Sequence, residues 1–382
     1  MSDAMTSAER VRAAFRLEEP DRVPILFRGT DPWAHHWSSQ VERAQFLLER
    51  GADARLRLGV PAPMHPEVTT KLWREEAQPC PILHKLYRTP AGDLHTAVQI
   101  TPDWQVADIP LYSDHAWPRG VQYLVKTEAD LEGLGYVLDD PRNTDLSSFF
   151  ESAAAVRRSA QELGVIVEGS MRPAPLYAMG FIGGERCLMA VRDEPELIQA
   201  TLEVVQPWCR AALELLLDAG VDVTYRSNCY ETVDLFAPTD IRELFMPLLE
   251  EDARICRQAG VPLHGFAQTG IMPLLEDWAD AGVSIISSLD PVGPNAMNLQ
   301  ETKRRVGDRC CLMGGVDNRG PFIEGTPEEM EQTVIETLRV MAPGGGYILS
   351  PAGMIFPEGR PENLQAFLDA GRRWGRYPLD LP

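Results

Sequence analysis

The sequence predicts an α/β protein of the (β/α)8 TIM-barrel class, with an N-terminal helical and hairpin elaboration, and three observations lead there. Four times a helix-like stretch ends in a small or apolar residue followed by Gly and then Val: Leu163-Gly164-Val165, Ala219-Gly220-Val221, Ala259-Gly260-Val261 and Ala281-Gly282-Val283. Gly adopts the left-handed conformation at a helix C-terminus without a Cβ penalty, and β-branched Val suits a buried strand. Short apolar runs alternate with helical stretches and number about eight, the count that closes an α/β barrel. No G-x-G-x-x-G or P-loop follows any run, so nothing favours the open, doubly wound alternative.

The elements follow in order. Thr6-x-x-Glu9 is a capping box, Val11, Ala14 and Phe15 share one helical face, and Pro20 ends that helix. Val23-Pro24-Ile25-Leu26-Phe27 predicts a first strand and 55–60 a weaker second. Prolines 61, 63, 66, 79 and 81 then loosen the pattern, and 86–95 predicts a hairpin about Pro90-Ala91-Gly92-Asp93. This stretch is expected to elaborate a single barrel domain over 1–382, irregular to 145 and regular over 146–382. Strands are expected at 165–168, 221–226, 261–264, 283–287, 310–314 and 347–350. Helices are expected at 196–219, 241–259, 270–281 and 327–341, the last opened by Thr326-Pro327-Glu328-Glu329.

With 382 residues, 44% hydrophobic and 24% charged, the chain can bury a large core. Its net charge of -20 excludes a nucleic-acid partner, since phosphate binding needs a basic stripe. Against that field, local arginines become informative about an anionic ligand. Seven cysteines with no C-x-x-C spacing point to reduced thiols and a cytoplasmic protein. No secretory leader or membrane-length apolar run is expected.

In a barrel, chemistry sits at the carboxyl ends of the strands. The polar residues there are Arg28, Asp31 and Trp33; Glu168 and Arg172; Arg226, Asn228, Tyr230 and Glu231; His264 and Gln268; Asp290; Asp317 and Arg319; and Ser350. His264 reads either as a hydrogen-bonded core residue or as an acid/base or metal ligand. Glu168 needs a partner if buried, and Arg172 is the candidate. Arg28 and Arg226 could bind a carboxylate or neutralise neighbouring acids. Asp317 could cap the following segment. His35-His36 reads as a lid or surface loop, and Cys229 has no evident base.

Several of these stretches together resemble the uroporphyrinogen decarboxylase superfamily. They are Thr6-Ser7-Ala8-Glu9-Arg10-Val11, Glu19-Pro20-Asp21-Arg22-Val23-Pro24, His264, Gly314-Gly315-Val316-Asp317, Gly345-Gly346-Tyr347-Ile348-Leu349-Ser350-Pro351 and Pro361-Glu362-Asn363-Leu364. The resemblance implies a (β/α)8 barrel that is either a cofactor-free decarboxylase or a methyltransferase working with a corrinoid, commonly dimeric. The second arginine of the decarboxylases after the first strand is absent beyond Arg28, as is their late histidine at Ser350-Pro351-Ala352-Gly353. The zinc pattern of the thiol-activating methyltransferases keeps His264, but Phe266 and Gly353 stand where cysteines belong, so zinc is not expected. His264 remains the one candidate metal ligand.

The leading expectation is an enzyme of the methyltransferase-like branch, taking a methyl group from a small O- or N-methylated substrate. The acceptor would be a corrinoid on a partner protein, with no cofactor held tightly by this chain. The catalytic candidates are His264, Glu168, Glu231 and Asp290. The substrate-binding candidates are Arg28, Trp33, Arg172, Tyr177, Arg226, Asn228, Tyr230, Gln268 and Asp317. The alternatives are a decarboxylase of a small carboxylated aromatic or heterocycle, using Arg28 or Arg226 with His264 or Asp290, and a catalytically silent binding protein.

Overall fold

A computed structural model describes residues 4–28 and 37–382. Its strands are β1 (Arg55–Leu58), β2 (Thr69–Glu75), β3 (Ile82–Thr89), β4 (Gly92–Gln99), β5 (Gly120–Gln122), β6 (Ile166–Met171), β7 (Val223–Ser227), β8 (Leu263–Phe266), β9 (Ile285–Leu289), β10 (Cys311–Val316) and β11 (Tyr347–Pro351). Seven of them form one parallel sheet in the order β1-β6-β7-β8-β9-β10-β11, each joined to the next through helices. The Gly-Val joints lie where the pattern placed them, with Gly164, Gly220, Gly260 and Gly282 all at positive φ.

The expected first strand at 23–27 is only an extended segment. Ile25 bridges Leu349 in parallel, the Leu349 N–H donates to Pro24 O, and the Asp53 N–H donates to Ile25 O just before β1. Pro24 has no N–H to give a ladder, which keeps the pairing short. The segment therefore touches both the last strand and the lead-in to the first, and among the described residues the sheet has seven strands where about eight were expected.

The helix Ser7–Phe15, capped by Thr6 and Glu9 as expected, packs Ala8, Val11 and Ala14 against Leu26, Ile166, Val223, Ile285, Cys311 and Ile348. These strand residues form an apolar layer inside the sheet's curl. Asp53, wholly buried, fixes the helix in place by accepting from Arg10 (2.6 Å), Arg22 (2.9 Å) and the Ile25 N–H (2.8 Å). The Arg10 and Asp21-Arg22 motif residues thus have a structural task.

The elaboration is larger than one hairpin. β2-β3-β4-β5 form an antiparallel sheet whose central turn is Pro90-Ala91, and only the β3–β4 pair was legible as a hairpin. β2 is exposed along most of its length, so it lacks the apolar alternation that marks a strand. Tyr87 and Leu94 join the main core with Leu131, Leu134 and Val137 of the helix Asp130–Val137. The helix expected at 241–259 begins with a π turn, Ile241–Phe245, before Met246–Gln258, because Pro247 cannot donate to the preceding turn.

Candidate functional site

Successive strand residues face opposite sides of a sheet, so the site follows from parity. On β6, Ile166 belongs to the inner apolar layer, which points Glu168 and Ser170 inward; on β7 the same counting from Val223 gives Tyr225 and Ser227. β8 contributes His264 and Phe266, and β1 contributes Arg55 and Arg57. Above the apolar layer lies a charged one. Arg55 Nε is 3.0 Å and Arg57 Nε 3.1 Å from Glu168 Oε1, and His264 Nδ1 is 3.7 Å from Glu168 Oε2. His264 Nε2 meets the Ser287 hydroxyl at 2.5 Å, and its ring stands edge-on to Tyr225.

Burial alone would raise the Glu168 carboxyl, but Arg55, the neighbouring His264 imidazole and Arg57 hold it well below the usual carboxylate range. Burial is also the main influence on His264 and lowers it despite the Glu168 carboxylate beside it. At neutral pH this layer is an ionised carboxylate shared by two guanidiniums, with a neutral imidazole at its side.

Over that layer opens a cavity of about 450 Å³, the size of a small-molecule site. Its lining includes Arg28, Arg57, Arg172, Tyr225, Phe266 and Gln268 from the strand ends, and Tyr112 and Asp114 from the elaboration. Cys229, Tyr230, Asn318, Met354 and Phe356 add to the wall. Arg28 donates a short hydrogen bond to the Tyr225 hydroxyl and stacks its guanidinium on Phe266. Burial pushes the Tyr225 phenol up to about 12, so it stays protonated. Asp114 Oδ1 accepts from Tyr112 (2.5 Å) and Tyr230 (3.1 Å), fastening the elaboration to the loop after β7.

Of the expected site residues, Arg28, Arg172, Tyr230 and Gln268 reach this cavity, and Glu168 and His264 lie directly beneath it. Arg172 does not partner Glu168. Its guanidinium covers the Tyr112 ring, and Arg55 and Arg57 take the carboxylate because β1 pairs Arg57 in register with Glu168. Arg226, Glu231 and Asn228 are elsewhere. Arg226 follows the inward Tyr225 and so points outward, fully buried, where Nε donates to Asp252 (2.8 Å) and Nη1 to Glu231 (2.9 Å). The Asn228 amide donates to Glu231 at 3.2 Å.

Asp317 accepts the Arg319 and Gly320 N–H groups and caps the next turn. Asp290 accepts the Val292 N–H and lies outside the cavity lining, its carboxyl raised by burial and then by Asp317. Tyr177 stands behind Tyr112, packed on Trp208 and Phe181. Asp31, Trp33 and His35-His36 lie outside the described residues. Missed entirely were Arg55, Arg57 and Tyr225. Their signal was the alternation Arg55-Leu56-Arg57-Leu58, which puts two arginines on one face, and the parity of Val223 and Tyr225.

An α/β sheet with a polar, arginine-lined cavity at its carboxyl end defines a barrel-like enzyme class. Residues 111–374 match the model of the uroporphyrinogen decarboxylase (URO-D) family, and the chain belongs to that family. The uroporphyrinogen decarboxylase of Pseudoalteromonas translucida is 24% identical over 258 residues, 64% of this chain and 70% of that one. That of Pseudomonas fluorescens is 25% identical over 260 residues, 65% and 68%. A methyltransferase structure from Methanosarcina mazei superposes with a TM-score of 0.65 at 17% identity, covering 97% of this chain and 99% of the other, and so shares the fold. The family match starts after Arg28, Arg55 and Arg57, so part of the cavity and its charged floor lies outside it.

The zinc site implied for one branch of the superfamily does not fit these residues. Both ring nitrogens of His264 face protein partners, Ser287 and Glu168. Gly353 brings no ligand of its own, and its Cα faces the amide ends of Gln268 and Asn318, which stand 2.6 Å and 2.8 Å from where a Cβ would lie. Among the described residues no group of three or more His, Cys, Asp or Glu is arranged to hold a metal.

Proposed function

We propose that this chain is a methyltransferase that demethylates a small aromatic methyl ether, within one (β/α)8-type barrel domain. The acceptor is a corrinoid carried by a separate protein, which would supply a strongly nucleophilic centre for the methyl group. The observation that carries the proposal is the Arg28–Tyr225 pair on the cavity floor. When the methyl–oxygen bond breaks, its electron pair stays on the oxygen and negative charge develops there. A protonated Tyr225 donates to that oxygen while the cationic Arg28 stands behind the phenol. Preorganised donors aimed at developing charge stabilise the transition state more than the ground state.

Decarboxylation makes the opposite demand, since the charge leaves the carboxylate as the bond breaks. Guanidiniums clamped on that departing group would favour the ground state. Glu168, held ionised, and Glu231, enclosed with Arg226, are poorly suited to protonate a product, so the oxygen leaves as an anion that Tyr225 stabilises by its hydrogen bond and solvent protonates after release. His264 acts beneath the cavity by orienting Glu168, and through it Arg57. The full-length likeness to a methyltransferase accords with this reading. The cavity is sized for a single-ring substrate, and exposed Met354 on its rim leaves apolar surface where a partner protein can approach.

The test is a panel of methoxylated aromatics incubated with the purified protein, with and without reduced free corrinoid. Demethylated product matched by methylated corrinoid is the expected result. Carbon dioxide released without corrinoid would replace the proposal with a decarboxylase.

A further inference from the structure

Among the described residues four guanidiniums, Arg28, Arg55, Arg57 and Arg172, line or underlie the cavity, against two carboxylates, Glu168 and Asp114. Positive charge in excess at one point of a chain with net charge -20 asks for a ligand anion. Arg55 and Arg57 are answered by Glu168, whereas among the described residues neither Arg28 nor Arg172 forms an ion pair with a carboxylate. Arg28 is committed to Tyr225 on the floor, which leaves Arg172 at the rim. Arg172 is exposed, and its guanidinium carbon stands 4.5 Å from the centre of the Tyr112 ring, so a cation–π contact places it at the rim before any ligand arrives. Between floor and rim the walls are aromatic, formed by Tyr112, Tyr230, Phe266 and Phe356. Asp114 on the same wall is already occupied by two tyrosine hydroxyls.

We infer that the cavity selects a flat aromatic monocarboxylate, with the ring held among the aromatic walls, the carboxylate taken by Arg172 at the rim, and the methylated oxygen directed to Tyr225 below. This rests on the proposed methyl transfer for the orientation of the ring, and adds the chemical class of the substrate and the residue that reads it. A bidentate guanidinium–carboxylate contact discriminates strongly against a neutral isostere, which leaves the guanidinium unanswered.

The experiment is calorimetric titration of the purified full chain with 4-methoxybenzoate and with the neutral isostere 4-methoxybenzamide, for wild type, Arg172→Gln and Arg172→Lys. The acid should bind wild type at least about tenfold more tightly than the amide, about 1.4 kcal/mol. Arg172→Gln should lose that preference while binding the amide as wild type does, and Arg172→Lys should keep part of it. Equal affinity for acid and amide, unchanged acid binding in Arg172→Gln, or no binding of the acid at millimolar concentration would overturn the inference. Arg172 is exposed, so a thermal melt of each variant should coincide with wild type and exclude misfolding as the cause. Binding needs no methyl acceptor, so a failure of methyl transfer leaves this result standing, and the converse holds too.

Discussion

Replacing Glu168 by Gln keeps the side-chain shape and removes the one negative charge in the layer beneath the cavity. Glu168 is 2% exposed, and the Arg55 side chain that depends on it is 6% exposed. Burial already pulls the Arg55 guanidinium down to about 10 with the carboxylate present. Breaking a buried pair by removing one partner costs about 3–5 kcal/mol, because the other charge is left in a poor solvent. For a chain of this length about 1.2 °C of melting temperature accompanies each kcal/mol, so the variant should melt roughly 4–6 °C below wild type. Calorimetric or circular-dichroism melts at pH 7.5 measure this. Glu168→Gln combined with Arg55→Met should recover most of the loss, since the stranded charge is then gone. A Glu168→Gln melt within about 2 °C of wild type, or a double variant no better than the single, would refute the account of the layer. The carboxyl is depressed in the fold, so its stabilisation is present above the unfolded carboxylate range near 4.3 and lost only as pH falls through the lower folded value. The gap between wild type and variant should therefore stay constant above about pH 6.5, where the neighbouring His264 does not titrate and Glu168 is ionised in both folded and unfolded chains.

Three further outcomes follow from the same geometry. Tyr225→Phe should lower kcat by about 10²–10³ with substrate affinity within a few-fold of wild type, as for loss of one transition-state hydrogen bond; a fall in affinity with kcat intact would assign Tyr225 to binding instead. His264 is lowered in the fold, so the unfolded chain takes up its proton first. The stability that comes from keeping the imidazole neutral is present above about 6.5 and is lost as pH falls through the folded value, by at most about 1.4 kcal/mol per pH unit. Melting temperature should drop on acidification from that range, and His264→Gln should flatten the drop; a profile identical in the variant would contradict this. Asp252→Asn removes the 2.8 Å partner of Arg226 Nε and should lower the melting temperature by several degrees with KM unchanged, measured by melts and steady-state kinetics. A raised KM at wild-type stability would return Arg226 to the substrate.

Much of the fold was legible because its signals are local. Gly-Val joints, the Thr6/Glu9 and Thr326/Glu329 capping boxes, and proline stops each act within a few residues, and the helix Pro327–Met341 lies where its cap put it. The antiparallel sheet was only half visible, since exposed β2 has no apolar face to show and β5 is three residues long. In the site, strand ends were located correctly, but polarity alone does not tell which way a side chain points. Arg226 and Tyr225 differ by one position, and that parity sends the arginine to Asp252 and the tyrosine to the cavity. Glu168 was expected to find its partner four residues along the chain. It found it on the neighbouring strand, because register and not sequence distance decides who meets across a parallel sheet. Tyr112 and Asp114 come from the irregular elaboration, where no periodicity announces which residues turn back to the barrel.

The most direct test of methyl transfer follows the methyl group itself. The purified chain is mixed in a single turnover with 4-methoxybenzoate labelled at the methoxy carbon, in the presence of reduced corrinoid, and the label is traced by mass spectrometry. The label should appear on the corrinoid in step with unlabelled 4-hydroxybenzoate, with the ring carboxylate retained. Carbon dioxide and labelled methoxybenzene, formed equally well without corrinoid, would contradict it.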